Sequence, residues 1–389
     1  SKRQNFPMSD YLSIHLAVRP QAGPITQGLF ELKRQPIPEI RGGEVLIKQT
    51  HMSLDPAMIG WMSADRESYI PRVELGDVMR SAGIGVIVDS NHPDFSPGDT
   101  VQGMLGWTEY NVSRGKGLNK VPSGSDPEMV LAVFALPGLT ATQGLFGFAD
   151  PKAGETIVVT GAAGSVGSLV GQLAKADGLK VIGVAGDDEK CQWITDALGF
   201  DGAINYKTDD VTSTLKDLTP EGVDIFFENT GGPIQQQVFN RMNVHGRIIV
   251  CGMISDYLSA QPSPGPNWIP LIKKRVTIRG FAMTDHLGDV SKLRAKLAPY
   301  VNDGKIGGIA DIRDESDREG MRVVVELRRD ADPETVLTDL QRRTSLQSNF
   351  GAILLALVDG RPQQLTLLQL LQTFLDYREL TIIRRTNHA

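Results

Sequence analysis

The feature that most constrains the fold of this chain is a glycine-rich turn between a short apolar run and an amphipathic stretch. In TIVVTGAAGSVGSLVGQLAKAD, Gly161, Gly164 and Gly167 directly follow the apolar run at residues 156–160. Small residues let a backbone turn tightly and approach a pyrophosphate, and a helix N-terminus offers free N–H groups with partial positive charge. The same glycines could serve only the close packing of a helix on a sheet. Their place between a strand pattern and a helix pattern favours nucleotide binding.

Strand-like and helix-like segments alternate from about residue 156 onward. The later strand-like runs are KVIGVA, GAINY, VDIFFEN, RIIVCG and RVTIRGF, and amphipathic stretches lie between most of them. Apolar strands that alternate with helices predict a parallel sheet covered on both faces, in a doubly wound α/β fold. Gly178 and Gly199 follow two helix patterns, where a left-handed cap residue is expected. We therefore predict a Rossmann domain over residues 131–306.

The first part of the chain has a different pattern. Short strand-like runs, EVLIKQTHMSL, GIGVIVDS and DTVQGML, are separated by turn signals such as RGG at 41–43 and SPGD at 96–99. Several short strands at this spacing are typical of a β-barrel or a sandwich. Residues 1–130 are therefore predicted to form a β-rich domain.

Composition argues against several classes of function. The formal net charge is −6, so no overall basic field attracts nucleic acid or anionic membrane. Cys191 and Cys251 are the only cysteines, and the six histidines are scattered, so neither a disulfide framework nor a catalytic zinc site is expected. No apolar run approaches the roughly 20 residues that span a bilayer, and the N-terminus lacks the apolar core of a signal peptide. We expect a cytoplasmic protein with reduced thiols, no bound metal, and no membrane or nucleic-acid partner.

The end of the second strand pattern, KVIGVAG, indicates which nicotinamide cofactor would fit. A site that prefers NAD usually places Asp or Glu there to hold the ribose 2′-hydroxyl, whereas this chain has Gly186. Lys190 follows one helical turn later, where it could pair with a 2′-phosphate. The ordinary role of Asp187 and Asp188 would be to cap the next helix, but an Asp187 that reached the ribose would make the cofactor NAD. The pattern favours NADP.

At the level of whole motifs, residues from about 10 to 306 resemble the medium-chain dehydrogenase/reductase superfamily. The supporting motifs, in the family's order, are MSLDPAM, SYIPRVELGDVM, SNHPDFSPGDTVQGMLGWTEY, GAAGSVGSLVGQLAK, GVAGDDEKC, FENTGG and CGMIS. They are most similar to the zinc-free branch of NADPH-dependent double-bond reductases, to which curcumin reductase and prostaglandin reductase belong. The resemblance implies a GroES-like β-barrel domain followed by a Rossmann domain, with the active site in the cleft between them.

The resemblance also implies a set of binding residues. Those for the cofactor are Gly161, Gly164, Ser165, Val166, Gly167, Gly186, Lys190, Tyr206, Asn229, Cys251, Gly252, Met253 and Ser255. Tyr257 would face the substrate as the catalytic residue, although it could instead be an exposed loop aromatic, and Tyr206 could simply end a strand. Trp61, Tyr69 and Trp107 are candidates for the apolar wall of a substrate pocket, a role for which core packing is an equal alternative.

The implied reaction is reduction of a carbon–carbon double bond by hydride transfer from NADPH to the β-carbon of an α,β-unsaturated ketone or aldehyde. Negative charge develops on the carbonyl oxygen, so hydrogen-bond donors should point there. The cofactor ribose hydroxyl and the Tyr257 hydroxyl are the expected donors, and water or Tyr257 would return a proton to the α-carbon. Relatives often have DPYMR where this chain has DPAMI at residues 55–59, so the identity of the enone stays open, as does homodimer formation.

The last part of the chain has a different composition and a different resemblance. No lysine follows Lys305, and residues 307–389 contain 11 arginines and 13 acidic residues. MRVVVELRR and AILLALV are strand-like, whereas PETVLTDLQRRTSLQ and the Leu-rich final stretch are helix-like. From Lys305 to about Thr386 the chain resembles part of the tower domain in the A subunit of DNA gyrase, most specifically in DIRDESDREGMR. We predict a third, α/β segment over residues 307–389, which makes the chain composite.

This replaced C-terminus leaves three interpretations of function. The family's final strand, which returns to the catalytic domain, is missing, so the chain could be an active enone reductase or an NADPH-binding module without turnover. The third interpretation is a gyrase-derived segment that binds DNA or another protein chain. It lacks the catalytic Arg-Tyr pair of gyrase, and its acidic residues outnumber its arginines, so neither strand passage nor autonomous DNA binding is expected. Enone reduction with NADPH is the function we predict.

Overall fold

The computed structural model describes residues 10–68, 70–261 and 263–306, together with the backbone of four short strands between residues 311 and 365. The chain divides into two units, residues 1–308 and residues 309–389. Within the described part of the chain, no helix has the length and apolar character needed to cross a membrane.

The first seven strands form two antiparallel sheets. They are β1 (Asp10–Leu16), β2 (Phe30–Pro36), β3 (Val45–Met52), β4 (Ala82–Ser90), β5 (Thr100–Met104), β6 (Tyr110–Ser113) and β7 (Asn119–Lys120). β1 pairs with β2, and the other five follow the order β6-β3-β4-β5-β7. Ile47, Ile87 and Val101 are buried together, because alternate residues of a strand face the same side. The β-rich prediction is confirmed, and the structure adds β1, β2, β6 and β7, whose mixed polar sequences conceal the strand pattern.

Two short helices accompany these sheets, α1 (Ala57–Met62) and α2 (Pro127–Ala132), whereas α3 (Leu136–Thr142) buries Leu139 and Ala141 in the core of the parallel sheet described next. Asp126 is the N-cap residue of α2, and its carboxylate accepts a hydrogen bond from the Glu128 N–H at 2.9 Å, which satisfies a free donor of the first turn. α1 buries Trp61 and Met62 in a small apolar cluster with Leu16 and Met79. This cluster fixes the helix that begins at the end of the MSLDPAM motif.

Six parallel strands form the central sheet. They are β8 (Thr156–Thr160), β9 (Lys180–Ala185), β10 (Gly202–Asn205), β11 (Val223–Glu228), β12 (Met242–Val250) and β13 (Thr277–Gly280). Their order is β10-β9-β8-β11-β12-β13, the order of dinucleotide-binding folds. The alternation of the sequence predicts all six. The strand order reverses between β8 and β11, which opens a crevice at the carboxyl ends of these two strands.

Six helices belong to the same part of the chain: α4 (Ser165–Ala176), α5 (Asp188–Asp196), α6 (Val211–Leu218), α7 (Pro233–Arg241), α8 (Ile269–Lys274) and α9 (Val290–Asn302). Phe226 and Phe227 are fully buried in two different apolar clusters on opposite faces of the sheet. Burial of each side chain contributes about 1.5–3 kcal/mol. Gly178 and Gly199 follow α4 and α5 with φ of 81° and 71°, so the predicted left-handed caps are confirmed.

Four short strands are described in the second unit. β14 (Asp311–Asp314) pairs antiparallel with β15 (Val323–Glu326), and β16 (Leu354–Val358) pairs antiparallel with β17 (Arg361–Leu365). β15 and β16 lie in the two runs predicted as strands, whereas β14 and β17 were not predicted. The two predicted helices of this segment lie outside the described residues.

Candidate active site

A cavity of about 1080 Å³ lies at the carboxyl ends of the parallel strands. Its walls include Gly161 after β8, Gly186 after β9, Asn229 after β11 and Cys251 after β12. Residues 55–57, from the N-terminal part of the chain, line it as well. The cavity therefore coincides with the crevice in which doubly wound sheets bind their ligands.

The turn between β8 and α4 presents its backbone to this cavity. Gly164 is the N-cap residue of α4, and no side chain caps that end, so its free N–H groups are available to a ligand. A Cβ placed on Gly167 would lie 2.3 Å from the carbonyl oxygen of Gly161, which is too close for any side chain. Ser165 and Val166 line the same part of the cavity. The turn can thus hold an anion at a helix N-terminus.

The end of the cavity near β9 contains Gly186, Lys190 and Tyr206. A Cβ on Gly186 would lie 3.1 Å from the Tyr206 ring, so a larger residue would push this ring away. Tyr206 directly follows β10 and is 45% exposed. These three residues, two directly after strands and Lys190 in the first turn of α5, can surround a phosphorylated ribose.

Asp187 caps α5, as its ordinary role predicted. Its carboxylate accepts a hydrogen bond from the Lys190 N–H at 2.8 Å and pairs with the Lys190 ammonium at 2.9 Å. The Lys190 side chain and N–H hold the pKa of the Asp187 carboxyl below its usual range, and Asp187 in turn raises the pKa of Lys190. Both groups are charged at neutral pH, so Lys190 can offer its charge to a phosphate.

The opposite end of the cavity is built from the segments that follow β11 and β12. The Asn229 amide donates a hydrogen bond to the Thr160 carbonyl at 2.7 Å. Cys251 lines the cavity, and its apolar surroundings raise the pKa of the thiol to about 12. The Tyr257 hydroxyl oxygen accepts a hydrogen bond from the Met253 N–H at 3.3 Å, so its own proton is available to a ligand.

Most of the sequence-predicted residues share this cavity, but not all of them do. Gly252, Ser255 and Tyr257 line it, whereas the Met253 side chain packs against Gly231. Trp61 is part of the cavity wall, while Trp107 packs on Phe30 with ring centroids 5.2 Å apart, which is the core-packing alternative. Tyr69 lies outside the described residues.

Many residues of the cavity wall were not nominated from the sequence, and Lys207 and Asp55 are two charged examples. Lys207 directly follows Tyr206, and its ammonium lies 5.9 Å from the centre of that ring, so a second cation borders the ribose end. Asp55 lies at the other end, where burial raises the pKa of its carboxyl despite a hydrogen bond with the Ser53 side chain. Lys207 directly follows the GAINY run and Asp55 belongs to MSLDPAM, but single residues in or beside such motifs carry no sign that they face a cavity.

The chemistry of this cavity fits a phosphorylated dinucleotide. An uncapped helix N-terminus lies between an end that contains Lys190 and Lys207 together with Asp209 and Asp210 and an end with amide, thiol and phenol groups. Among residues 10–68, 70–261 and 263–306, no group of three or more His, Cys, Asp or Glu side chains could hold a metal ion.

Three family models match successive parts of the chain. The N-terminal domain of oxidoreductase matches residues 13–121, and zinc-binding dehydrogenase matches residues 165–298. The third, the A subunit of DNA gyrase/topoisomerase IV, matches residues 288–389. The chain therefore combines an oxidoreductase portion with a C-terminal portion similar to gyrase.

Individual proteins are similar to the first portion. NADPH-dependent curcumin reductase of Escherichia coli is 38% identical over 306 residues, which cover 77% of this chain and 88% of the relative. NADP⁺-dependent 2-alkenal reductase of Nicotiana tabacum is 36% identical, with coverage of 69% and 79%. The crystal structure of CurA from Vibrio vulnificus in complex with NADPH is 37% identical and has a TM-score of 0.72, with coverage of 76% and 89%.

Proposed function

Because the chain belongs to the zinc-independent double-bond reductase branch of the medium-chain dehydrogenase/reductase superfamily, we propose that it reduces the carbon–carbon double bond of α,β-unsaturated ketones and aldehydes with NADPH. We assign this activity to two domains, residues 1–130 and 131–306, and leave residues 307–389 outside it. The observation that carries the proposal is one continuous cavity that joins the phosphate turn to Tyr257 and Trp61.

NADPH, when bound, supplies the hydride that is added to the β-carbon of the enone. Gly161 and residues 164–167 would hold its pyrophosphate through backbone N–H groups, and Gly186, Lys190 and Tyr206 would surround its 2′-phosphate. Asn229, Cys251, Gly252 and Ser255 would border its nicotinamide end. Lys207 adds a second positive charge beside Tyr206, which favours the phosphorylated cofactor over NADH.

Tyr257 would stabilise the charge that develops on the carbonyl oxygen of the substrate. Its oxygen already accepts a hydrogen bond from the Met253 N–H, which orients the phenol and leaves its proton free to donate. A donor fixed before the reaction stabilises developing charge without reorganisation at the moment of reaction. Trp61 would contribute an apolar wall that keeps water away from the enone.

The direct test mixes the chain with NADPH and a panel of short and long enones while NADPH absorbance is followed. We expect consumption of NADPH that depends on the enone and is faster than with NADH. Tyr257→Phe should lower kcat by about tenfold, since removal of one proton donor leaves the others in place. Tyr110→Phe, on β6, is the matched control and should retain wild-type activity.

The outcomes separate the interpretations. Tight NADPH binding without turnover of any enone would favour the binding module over the enzyme. An active enzyme in which Tyr257→Phe keeps the wild-type kcat would retain the reductase function but remove Tyr257 from its proposed role.

The gyrase match favours a second candidate function, which concerns the C-terminal portion alone. Residues 288–389 match the A subunit of gyrase, so this portion could bind DNA or another protein chain. The test is titration of the full chain with duplex DNA at low and high salt. Binding that weakens steeply with salt would support contacts to DNA phosphates, and no binding at low salt would exclude them.

A further inference from the structure

A buried carboxylate joins two of the segments that line the cavity. Glu228, the last residue of β11, is fully buried. Its Oε1 accepts hydrogen bonds from the Thr160 hydroxyl at 2.6 Å, the Thr230 N–H at 2.7 Å and the Gly231 N–H at 3.0 Å. A single oxygen therefore ties the end of β8 to the turn that follows β11.

Thr160 extends this network to Asn229. The Thr160 hydroxyl donates to Glu228 and accepts from the Asn229 N–H at 2.9 Å, while the Thr160 carbonyl accepts from the Asn229 amide. Thr160 is also the residue directly before Gly161 of the phosphate turn. Thr160 thus holds Asn229 twice, its backbone through the Thr160 hydroxyl and its side chain through the Thr160 carbonyl, directly before the phosphate turn begins.

The backbone of the same strand end holds the third segment. The Glu228 carbonyl accepts a hydrogen bond from the Cys251 N–H at 2.8 Å, and the Asn229 carbonyl accepts one from the Ile254 N–H at 3.2 Å. The segment at residues 251–255 is therefore anchored to the residues whose conformation the Glu228 carboxylate sets. In this way the carboxylate influences cavity walls that it does not itself form.

From these contacts we propose that Glu228 is a positioning residue for hydride transfer, which holds the nicotinamide-side wall of the cavity at a fixed place relative to the phosphate turn. The proposal rests on the proposed reductase function for its kinetic consequences but not for its effect on binding. Hydride transfer requires the donor and acceptor carbons to be held at near-contact distance, and small misplacements cost large factors in rate. The adenosine end, at Gly186, Lys190 and Tyr206, shares none of the described hydrogen bonds of Glu228.

The experiment uses Glu228→Gln, Thr160→Val and Thr160→Ser in the full chain. In the described structure Oε2 of Glu228 accepts no hydrogen bond, so glutamine keeps one oxygen for the donors to Oε1 but places an NH₂ group where no acceptor is present. Valine removes the hydroxyl that links Glu228 to Asn229, whereas serine keeps it. Thr219→Val is the matched control, because Thr219 is equally buried but lies before β11, at the opposite end of the strand.

The readouts are kcat with an enone, the affinity for NADPH and the affinity for 2′,5′-ADP, which occupies only the adenosine end. We expect Glu228→Gln and Thr160→Val to lower kcat and weaken NADPH binding by on the order of tenfold each, with 2′,5′-ADP affinity within about twofold of wild type. Thr160→Ser should recover most of the loss. Thr219→Val should lower the melting temperature without any of these changes.

Two results would overturn the proposal. One is retention of wild-type kcat and NADPH affinity in Glu228→Gln, and the other is an equal loss of affinity for NADPH and 2′,5′-ADP, which a general loss of structure would cause. If the wild-type chain turns over no enone, the reductase function fails, but the comparison of the two ligand affinities still decides the role of Glu228.

Discussion

Two glycine-containing turns lie side by side at the carboxyl ends of β8 and β11, and they use their N–H groups differently. In the first, residues 161–167, the N-terminus of α4 has no side-chain cap and faces the cavity. In the second, residues 229–232, the N–H groups of Thr230 and Gly231 bind the carboxylate of Glu228. One turn is left open to an external anion, while the other already binds a carboxyl group of the protein.

A glycine-rich turn before a helix is therefore not by itself a phosphate site. Each turn follows a parallel strand, precedes a helix and contains glycines, so local sequence features alone do not separate them. The two turns differ in whether a carboxylate of the protein accepts hydrogen bonds from their N–H groups. Substitutions in the two turns should therefore differ in the size and the kind of their effects.

The largest effect is expected for Gly167→Ala in the open turn. The new Cβ would lie 2.3 Å from the Gly161 carbonyl oxygen, and a backbone atom cannot move aside as a flexible side chain can. We expect NADPH affinity to fall by about 100-fold, or ~2.7 kcal/mol, in a fluorescence titration. Gly60→Ala on α1 is the control, since a Cβ there meets nothing within 4 Å and should leave affinity unchanged. Wild-type affinity in Gly167→Ala would mean that the turn does not hold the cofactor.

The second turn should respond through its backbone conformation. Gly231 has φ of 75°, and the nearest obstacle to a Cβ is the flexible end of Met253. A left-handed conformation costs alanine about 1–2 kcal/mol, but asparagine less. We expect Gly231→Ala to lower the melting temperature and to weaken NADPH binding by about tenfold, with a smaller loss for Gly231→Asn. Equal losses in both variants would indicate that space, rather than conformation, limits this position.

A smaller effect is expected at the phosphate end, where charge rather than shape is tested. Lys190→Ala should weaken NADPH binding by about fivefold and leave NADH binding unchanged, because an exposed ion pair contributes at most ~1 kcal/mol. Lys175→Ala removes another lysine that forms an ion pair, with Asp201, outside the cavity, so it should not change the preference between the two cofactors. A parallel loss of NADH binding would assign Lys190 a role other than contact with the 2′-phosphate.

The sequence predicted the framework of this site better than its internal connections. Apolar runs alternating with amphipathic stretches identified all six strands of the parallel sheet, since this periodicity reflects burial on both faces. The open turn was located from its place between a strand pattern and a helix pattern in the sequence. The role of Glu228 could not be predicted, because its partner Thr160 lies 68 residues away, and such a contact exists only after β8 and β11 pair.

The sequence also could not assign a role to side chains that can either line a cavity or pack in a core. Trp61 and Trp107 are both large aromatics near candidate motifs, yet one lines the cavity and the other packs on Phe30. An aromatic residue gains about the same free energy from either environment, so composition does not distinguish them. Only the three-dimensional packing of α1 against the antiparallel sheets separates the two roles.

The smallest effect concerns Cys251, whose N–H is bound to the Glu228 carbonyl in the second turn. The thiol keeps some exposure through the cavity, yet its surroundings raise its pKa from an ordinary 9.0 to about 12. The neutral form is favoured in the folded protein, so the associated stability is fully present below pH 9 and is lost as the pH rises toward 12.

In a Cys191→Ser background, alkylation by iodoacetamide should be very slow at pH 8 and should still rise with pH above 10, because only the thiolate reacts. The same measurement in Glu228→Gln should show faster alkylation if the carboxylate keeps this segment closed. A rate that levels off near pH 9 in the Cys191→Ser protein would show that the segment at residues 251–255 is open to water and would remove the contrast between the two turns.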